Sequence, residues 1–320
     1  MLKSKNKAKS DKILQILIVL TVLLSSLYVI SFTRNFSSAD KREKVKTALV
    51  NQKYKDSINS ILLQDASGCI ELSLDQGFWN IRSLTQETSS IPASKERVNN
   101  LLEELIKVRN LYKISDKINK NSSLGLTNGT EFHIRYTYNS ENSDKGSFRE
   151  LIFGNQDFSL SSRYLMTGES TQVYEIDNSM DTYLTTSIQS WAEPYIISRT
   201  VSSTDIQNIT AVLKTEDGKK TIKRNKGTNE NTEKLLELRH GGIPSESEID
   251  ESKNNEADLE LEIENGNKSK IILEITQSKN QEGSYTVKVR YFKPDSKSAF
   301  YTSYSKISTW TYNKIKEITL

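Results

Sequence analysis

The most conspicuous pattern in the chain is one long apolar run near its start. No charged side chain occurs in the 20 residues from Ile13 to Phe32. A helix of that length spans about 30 Å, the thickness of a bilayer's hydrocarbon core. Lipid offers backbone amides no partners, so such a run must be helical. The pattern therefore predicts a transmembrane helix over residues 13–32.

The residues around this run predict its orientation. A basic tail over residues 1–12 carries five lysines and one aspartate, which favours a cytoplasmic N-terminus. A cleavable signal is the alternative, but its apolar region is usually shorter, and the nearest weak cleavage site is Ser37-Ser38-Ala39. A buried helix of a soluble domain is the third reading. We expect a permanent single-pass anchor in a bacterial cytoplasmic (inner) membrane, with the bilayer as partner through residues 13–32 and a periplasmic, extracytoplasmic ectodomain.

After the run, apolar residues mostly alternate with polar ones, as in half-buried strands. Residues 33–56 read as a juxtamembrane linker with a charged helix over Ala39–Val50. Residues 57–200 form a first predicted α+β unit. Strands are predicted in it at Ser60–Leu63, Ile70–Leu74, Phe78–Ile81, Phe132–Tyr138, Phe148–Phe153, Arg163–Met166 and Gln172–Ile176.

Two helices are predicted in the first unit. Ser94 is a candidate N-cap, and Glu96 suits the positive end of the helix dipole. Apolar residues then recur at helical spacing, at Val98, Leu101, Leu102, Leu105 and Val108. A second helix is predicted over Asp177–Trp191.

Residues 201–320 repeat the scheme more loosely, which predicts a second α+β unit. Its predicted strands are Ile209–Leu213, Thr221–Lys223, Leu259–Ile263, Ile271–Ile275 and Tyr285–Tyr291. A helix ends at Gly241-Gly242, the polar stretch Ser245–Glu256 reads as a mobile loop, and Trp310 closes the unit as Trp191 closes the first. The predicted fold class is α+β: an N-terminal transmembrane helix followed by a strand-dominated ectodomain with two copies of a hairpin-helix-antiparallel-sheet unit.

Charge and cysteine content narrow the function classes. The tail contributes +4, so the whole-chain charge of +3 leaves −1 for the rest. The sequence pI of 8.6 thus reflects the tail, and no basic stripe with interleaved aromatics follows, so no nucleic acid partner is expected. The single cysteine, Cys69, excludes an internal disulfide and reads as a small core residue.

A series of short motifs resembles a known family. In order they are "GFWNIRS", "IPASKERVNNLLEELIKVRNLY", "LGLTNGTEFHIRY", "ELIFGNQDFSLSSRYLM", "TQVYEIDNSMDTYL" and "SWAEPYII". Over roughly Ile70–Ala211 the chain resembles a bacterial domain family of unknown function, DUF4340. Leu124 departs from it, standing where the family often has tyrosine. The resemblance implies a single-span accessory of ABC transporters, similar to the auxiliary component of gliding-motility-type systems, and it brings no catalytic residues.

Candidate chemistry is sparse. The two histidines, His133 and His240, lie in different predicted units, the first as a solvated strand residue and the second complementing a helix C-terminus. Neither has a second ligand at zinc spacing. The carboxylate pairs Glu103-Glu104 and Asp258-Glu260 fall on polar faces. The sequence contains no phosphate-binding, dinucleotide or nucleophile motif. No catalytic, cofactor or metal site is therefore predicted.

Tyrosines offer the one suggestive cluster. Five lie close together late in the sequence, at Tyr285, Tyr291, Tyr301, Tyr304 and Tyr312. On an open sheet they would make a glycan- or protein-binding face, and the alternative is that most of them are ordinary strand residues. Asn-x-Ser/Thr matches such as Asn121 and Asn208 follow from composition.

These observations predict a non-enzymatic, membrane-anchored extracytoplasmic accessory of an ABC-type transport system, with permease or auxiliary subunits as partners. A free-standing envelope module that binds glycan or protein is the alternative. A hydrolase with an unfamiliar site is a third hypothesis, and it requires a buried, convergent polar cluster.

Overall fold

The computed structural model describes residues 17–29, 42–85, 90–118, 123–127, 129–140, 143–198, 202–215, 218–225, 229–279 and 281–320. Its first helix, α1, covers residues 17–29. None of the helices in these ranges combines the length and apolar character that a bilayer crossing demands. The transmembrane helix predicted over 13–32 is therefore wrong for the described part of the chain, because only 13 of its residues form the helix there and about 20 are required. Residues 13–16 and 30–32 lie outside the described ranges.

Two antiparallel sheets dominate the rest of the described chain. The first has ten strands: β1 Lys44–Thr47, β2 Ile58–Asp65, β3 Gly68–Asp75, β4 Phe78–Ser83, β5 Ile91–Pro92, β6 Arg109–Ser115, β7 Phe132–Ser140, β8 Ser143–Gln156, β9 Ser162–Thr167 and β10 Val173–Asp177. They lie in the order β1-β6-β10-β9-β8-β7-β2-β3-β4-β5, so β1 and β5 are its edges.

The second sheet has six strands in the described residues: β11 Ile206–Thr215, β12 Gly218–Asn225, β13 Leu259–Asn265, β14 Lys270–Gln277, β15 Ser284–Phe292 and β16 Tyr301–Ser308. Their order is β12-β11-β13-β14-β15-β16. A similar arrangement occurs in the first sheet, where a hairpin, β2 and β3, lies beside the four-strand meander β7 to β10. Between hairpin and meander the described chain is helical in the second sheet, whereas in the first it forms β4, β5 and β6 together with a helix.

The remaining helices are α2 Lys95–Ile106, α3 Ile188–Trp191, α4 Asn229–Leu236, α5 Glu246–Asn254 and α6 Thr309–Thr319. α2 agrees with the sequence prediction: the Ser94 hydroxyl accepts a hydrogen bond from the Arg97 amide at 3.3 Å. Four of the five stripe residues are buried, at Val98, Leu101, Leu102 and Leu105. Val108 lies beyond the helix and is 58% exposed.

Each sheet has its own core, and β4 belongs to both. Successive strand residues point to opposite faces. Trp79 accordingly lies in the core of the first sheet, whereas its neighbour Phe78 packs into the core of the second. The Phe78 ring stacks on Tyr301 of β16 with centroids 4.0 Å apart. β4 thus contributes side chains to the cores of both sheets.

Several local predictions are wrong. Within the predicted helix Ala39–Val50, Lys44–Thr47 is strand β1, whose exposed and half-buried residues alternate and which pairs with β6. The expected mobile loop Ser245–Glu256 contains helix α5. The predicted helix Asp177–Trp191 is a 3₁₀ turn, Asn178–Tyr183, followed by the short α3.

The two closing tryptophans also differ. Trp191 is fully buried, whereas Trp310 is 71% exposed. The glycine pair does not end a helix, because α4 stops at Leu236. Instead, Gly241 and Gly242 pair with the outer edge of β16.

Candidate functional site

A cleft lies where the edges of the two sheets approach each other. β5 is the edge of the first sheet and β16 the edge of the second, and residues of both line the cleft, whose volume is ≈ 460 Å³. The segment leading into α5 and the helix itself supply a further wall. Six apolar residues line it: Ile91, Pro92, Ile188, Ile243, Pro244 and Ile249. A concave, mainly apolar surface with a few polar groups is typical of a binding site.

The polar groups at the cleft floor are held by the junction between the sheets. The Tyr301 hydroxyl donates to Asn80 Oδ1 at 2.7 Å, and Asn80 Nδ2 donates to the Phe78 carbonyl at 3.2 Å. Burial, with the nearby charges of Asp75 and Glu193, raises the pKa of Tyr301. Tyr301 therefore remains a neutral donor at physiological pH and fixes the geometry of the floor.

The wall that α5 supplies is ordered by a cap at the start of this helix. The Ser245 hydroxyl accepts from the Glu248 amide at 3.4 Å, and the Ser245 amide donates to Glu248 Oε2 at 2.8 Å, which is a capping box. Lys306 Nζ pairs with Glu248 Oε1 at 2.6 Å and ties the helix to β16. These bonds place Ile249 on the cleft wall.

A second, hydroxyl-lined pocket of ≈ 420 Å³ lies next to the cleft, with Ile188 in the walls of both. Asp65 Oδ1 accepts from the Ser67 amide at 2.8 Å and the Thr186 hydroxyl at 3.1 Å, so this carboxylate holds the local turn. Cys69 also lines the pocket and is half-buried. Burial raises the pKa of its thiol, which disfavours the reactive thiolate at neutral pH.

The predicted tyrosine cluster is divided by the structure. Tyr285 stacks on Tyr312 with centroids 4.2 Å apart, inside the second core. Tyr291 is 3% exposed and its hydroxyl accepts from the Ser198 amide at 2.9 Å. Only Tyr301 and Tyr304 line the cleft. The open tyrosine face considered from the sequence is therefore wrong, since most of the cluster is core.

The two histidines lie apart from the cleft. His133 is not solvated as expected: its side chain is 18% exposed, and Nδ1 lies 2.8 Å from Glu150 Oε1. His240 does not cap a helix, because its Nε2 contacts the Glu193 carbonyl oxygen beyond the end of α4. Among the described residues, no group of three His, Cys, Asp or Glu side chains is placed to hold a metal ion.

The carboxylate pairs are engaged separately. Glu103 pairs with Lys55, and Glu104 Oε2 accepts from Arg109 Nη2 at 3.0 Å. Asp258 Oδ2 accepts from the Gln277 amide at 2.6 Å. The structure does not bring either pair to the cleft.

Of the two Asn-x-Ser/Thr matches, Asn121 lies outside the described residues. Asn208 Nδ2 donates to Glu264 Oε2 at 3.0 Å on the second sheet.

Sequence reasoning missed most of the cleft. Ile249 lies in the stretch Ser245–Glu256, which was predicted to be a mobile loop, and Ile243 and Pro244 lie just before it. The available signal was the Ser245-x-x-Glu248 spacing, a capping-box pattern that marks the start of a helix. No comparable signal joins β5 to β16, since their proximity depends on the packing of the sheets.

The fold and cleft define a strand-rich α+β protein with a binding-site-sized concavity at the junction of two antiparallel sheets. Residues 84–281, more than half of the 320-residue chain, match the family described as Domain of unknown function (DUF4340), and the chain belongs to that family. The matched region includes Ile91, Ile243 and Ile249 of the cleft and ends before β16. No curated protein and no solved structure gives a significant match to the chain.

Proposed function

We propose that this chain is a non-enzymatic accessory protein that binds a polypeptide partner in the cleft between β5 and β16. The observation that carries the proposal is the cleft itself, an apolar concavity of ≈ 460 Å³ between two sheet edges. Apolar side chains of a partner gain about 25 cal/mol for each Å² that they bury in such a site.

An ABC-type transport system is the setting we propose for this partner, with a permease or auxiliary subunit as the bound chain. The sequence resemblance motivates this setting, and the cleft supplies a surface for the contact. In this role the protein acts by holding another subunit, so it needs no reacting group.

Affinity purification of the tagged full-length chain from its native cells, after mild cross-linking, tests the proposal. The critical comparison is Ile243→Trp, which fills the cleft from a residue that is 41% exposed, against Val108→Trp, at an exposed position outside the cleft. We expect the wild type and Val108→Trp to retain the same permease or auxiliary chain and Ile243→Trp to lose it. Repeated absence of such a chain from the wild-type sample would contradict the proposal.

A second candidate is a free-standing envelope module that binds glycan. It is favoured by the neighbouring pocket, whose lining includes six hydroxyl-bearing residues: Ser67, Ser83, Thr85, Thr185, Thr186 and Ser187. Sedimentation with isolated cell wall, in the absence of any transporter, tests it. Retention that Thr186→Val weakens and Ile243→Trp leaves unchanged would favour this candidate over the first.

A further inference from the structure

The outer edge of β16 presents unpaired main-chain groups to the cleft. In an antiparallel pair, the amide and carbonyl of every second residue point away from the neighbouring strand. Lys306 shows which residues these are: its amide donates to the Gly242 carbonyl at 2.9 Å, and its carbonyl accepts from the Gly241 amide at 2.7 Å, on the side away from β15. By the same alternation, the amides and carbonyls of Tyr304 and Thr302 point outward.

These outward groups are open in the described part of the chain, where no main-chain or side-chain partner reaches them. Both residues line the cleft, facing the wall that Ile243 and Ile249 help to form. Exposed sheet edges are usually guarded by a charge, a proline or a covering segment. Thr302 and Tyr304 carry no charge, and the covering segment, Gly241-Gly242, reaches only Lys306.

We propose that the partner in the cleft is an extended polypeptide segment that adds to β16 as a further strand at Thr302 and Tyr304. This inference rests on the proposed function and names the form of the partner. The added strand continues, along the same edge, the antiparallel pairing that Gly242 already makes with Lys306. The outward amides and carbonyls of β16 recur at every second residue. An added antiparallel strand presents its own amides and carbonyls at the same spacing.

The pairing also determines the side-chain pattern of the partner. Residues of an added strand point alternately to the two faces of the sheet. The face towards Ile243 and Ile249 accepts apolar side chains. The segment is therefore expected to be apolar at alternate positions and free of proline at the positions that pair.

The test begins with peptides selected from a displayed library of random 12-residue sequences, using the full chain as bait and Ile243→Trp to remove binders outside the cleft. Synthetic copies of a selected peptide then receive single N-methyl groups along the backbone. Each methyl group removes one amide donor, and one net hydrogen bond is worth about a tenfold change in Kd at most. We expect the Kd to rise severalfold to tenfold at every second position and little at those between.

A protein-side measurement accompanies the peptide series. On peptide binding, the amides of Thr302 and Tyr304 should exchange hydrogen more slowly, whereas those of Ser303 and Ser305, which face β15, should be unchanged. Tyr304→Pro removes an outward donor and should weaken binding by about tenfold. Tyr304→Phe keeps the main chain and is the matched control.

The outcomes separate the two levels of the proposal. Binding without protection of Thr302 and Tyr304, and without an alternating N-methyl effect, would overturn strand addition and leave the cleft as the site. Failure to select any peptide that depends on Ile243 would overturn both. Concentration-dependent self-association that protects the same amides would show that a second copy of this chain occupies the edge, and would also overturn the proposal of a separate partner.

Discussion

At the scale of single residues, Arg109 of β6 makes buried contacts that we expect to stabilise the first sheet. Its side chain is 3% exposed. Nη1 donates to Ser179 Oγ at 2.7 Å and to Asp177 Oδ1 at 3.3 Å, and Nη2 donates to Glu104 Oε2 at 3.0 Å. The guanidinium thus links α2 to the turn after β10. Its removal takes from Asp177 the cation that pairs with it and leaves Glu104 with Lys107.

We predict that Arg109→Met lowers the free energy of unfolding by about 2 kcal/mol, because it removes the hydrogen bonds that a buried charged side chain donates to Ser179, Asp177 and Glu104. Urea denaturation followed by circular dichroism measures the change. The matched control is Arg82→Met, which removes an ion pair with Glu71 from a side chain that is 52% exposed. The control should cost less than about 1 kcal/mol. Equal effects of the two variants would contradict the assignment.

The same cluster predicts a pH dependence. Burial alone would raise the pKa of Glu104, but hydrogen bonds from Lys107 and Arg109 and the charge of Lys107 outweigh it, so its pKa lies below the ordinary value. For Asp177, burial is likewise outweighed by hydrogen bonds from Ser179 and the charge of Arg109, and the pKa is lowered. The stability gained from these depressed pKa values is present above the ordinary carboxyl pKa of about 4 and is lost as the pH falls through the folded-state values.

The difference in unfolding free energy between the wild type and Arg109→Met should therefore shrink as the pH is lowered from about 5 to about 2. Paired urea titrations over this range measure it. A difference that stays constant or grows on acidification would show that the carboxylates do not depend on Arg109.

At the scale of elements, α5 forms one wall of the cleft, and its N-terminal cap keeps that wall ordered. We predict that Ser245→Ala destabilises this helix by about 1 kcal/mol, because the capping hydroxyl satisfies the Glu248 amide. Hydrogen exchange of residues 246–254 should become severalfold faster. Ser252→Ala is the control, since its hydroxyl donates to the Ile249 carbonyl at 2.7 Å within the helix and alanine is the better helix former. Faster exchange in both variants would contradict a specific cap.

Elements with a strong internal period were predictable from the sequence. α2 has an apolar stripe and a serine cap, and the predicted strands Leu259–Ile263 and Ile271–Ile275 lie within the paired strands β13 and β14. α5 was missed because its polar composition hides the capping box. β1 was read as helix because its charged residues masked a period of two, and its strand form depends on pairing with the distant β6.

At the scale of the whole molecule, the junction between the sheets was beyond sequence reasoning. Tyr301 and Asn80, whose hydrogen bond anchors the cleft floor, are 221 positions apart. No local pattern marks Phe78 as a residue of the second core, since alternation along β4 identifies only that it faces away from Trp79. The predicted late tyrosine cluster included Tyr301 but gave it no partner. The candidate site was unpredictable for the same reason.

We predict that Phe78→Ala lowers the free energy of unfolding by about 3–5 kcal/mol, because it empties a buried site in the second core. It also removes the ring that stacks on Tyr301, so the two sheets should lose cooperativity and unfold in separate calorimetric transitions. Trp310→Ala, at a residue that is 71% exposed, should leave the transition nearly unchanged. Cooperative unfolding of Phe78→Ala with an unaltered midpoint would contradict the role given to β4.

The central claim is that the cleft between β5 and β16 holds a polypeptide partner in the cell. Site-specific photo-cross-linking tests it most directly, with a photoreactive residue placed at Ile243 in the cleft or at Val108 outside it, both in exposed positions. The account predicts that Ile243 yields one dominant adduct, with a transport-system subunit. The same segment of that subunit should also cross-link to the edge of β16. The same adducts from both positions, or none from Ile243, would contradict it.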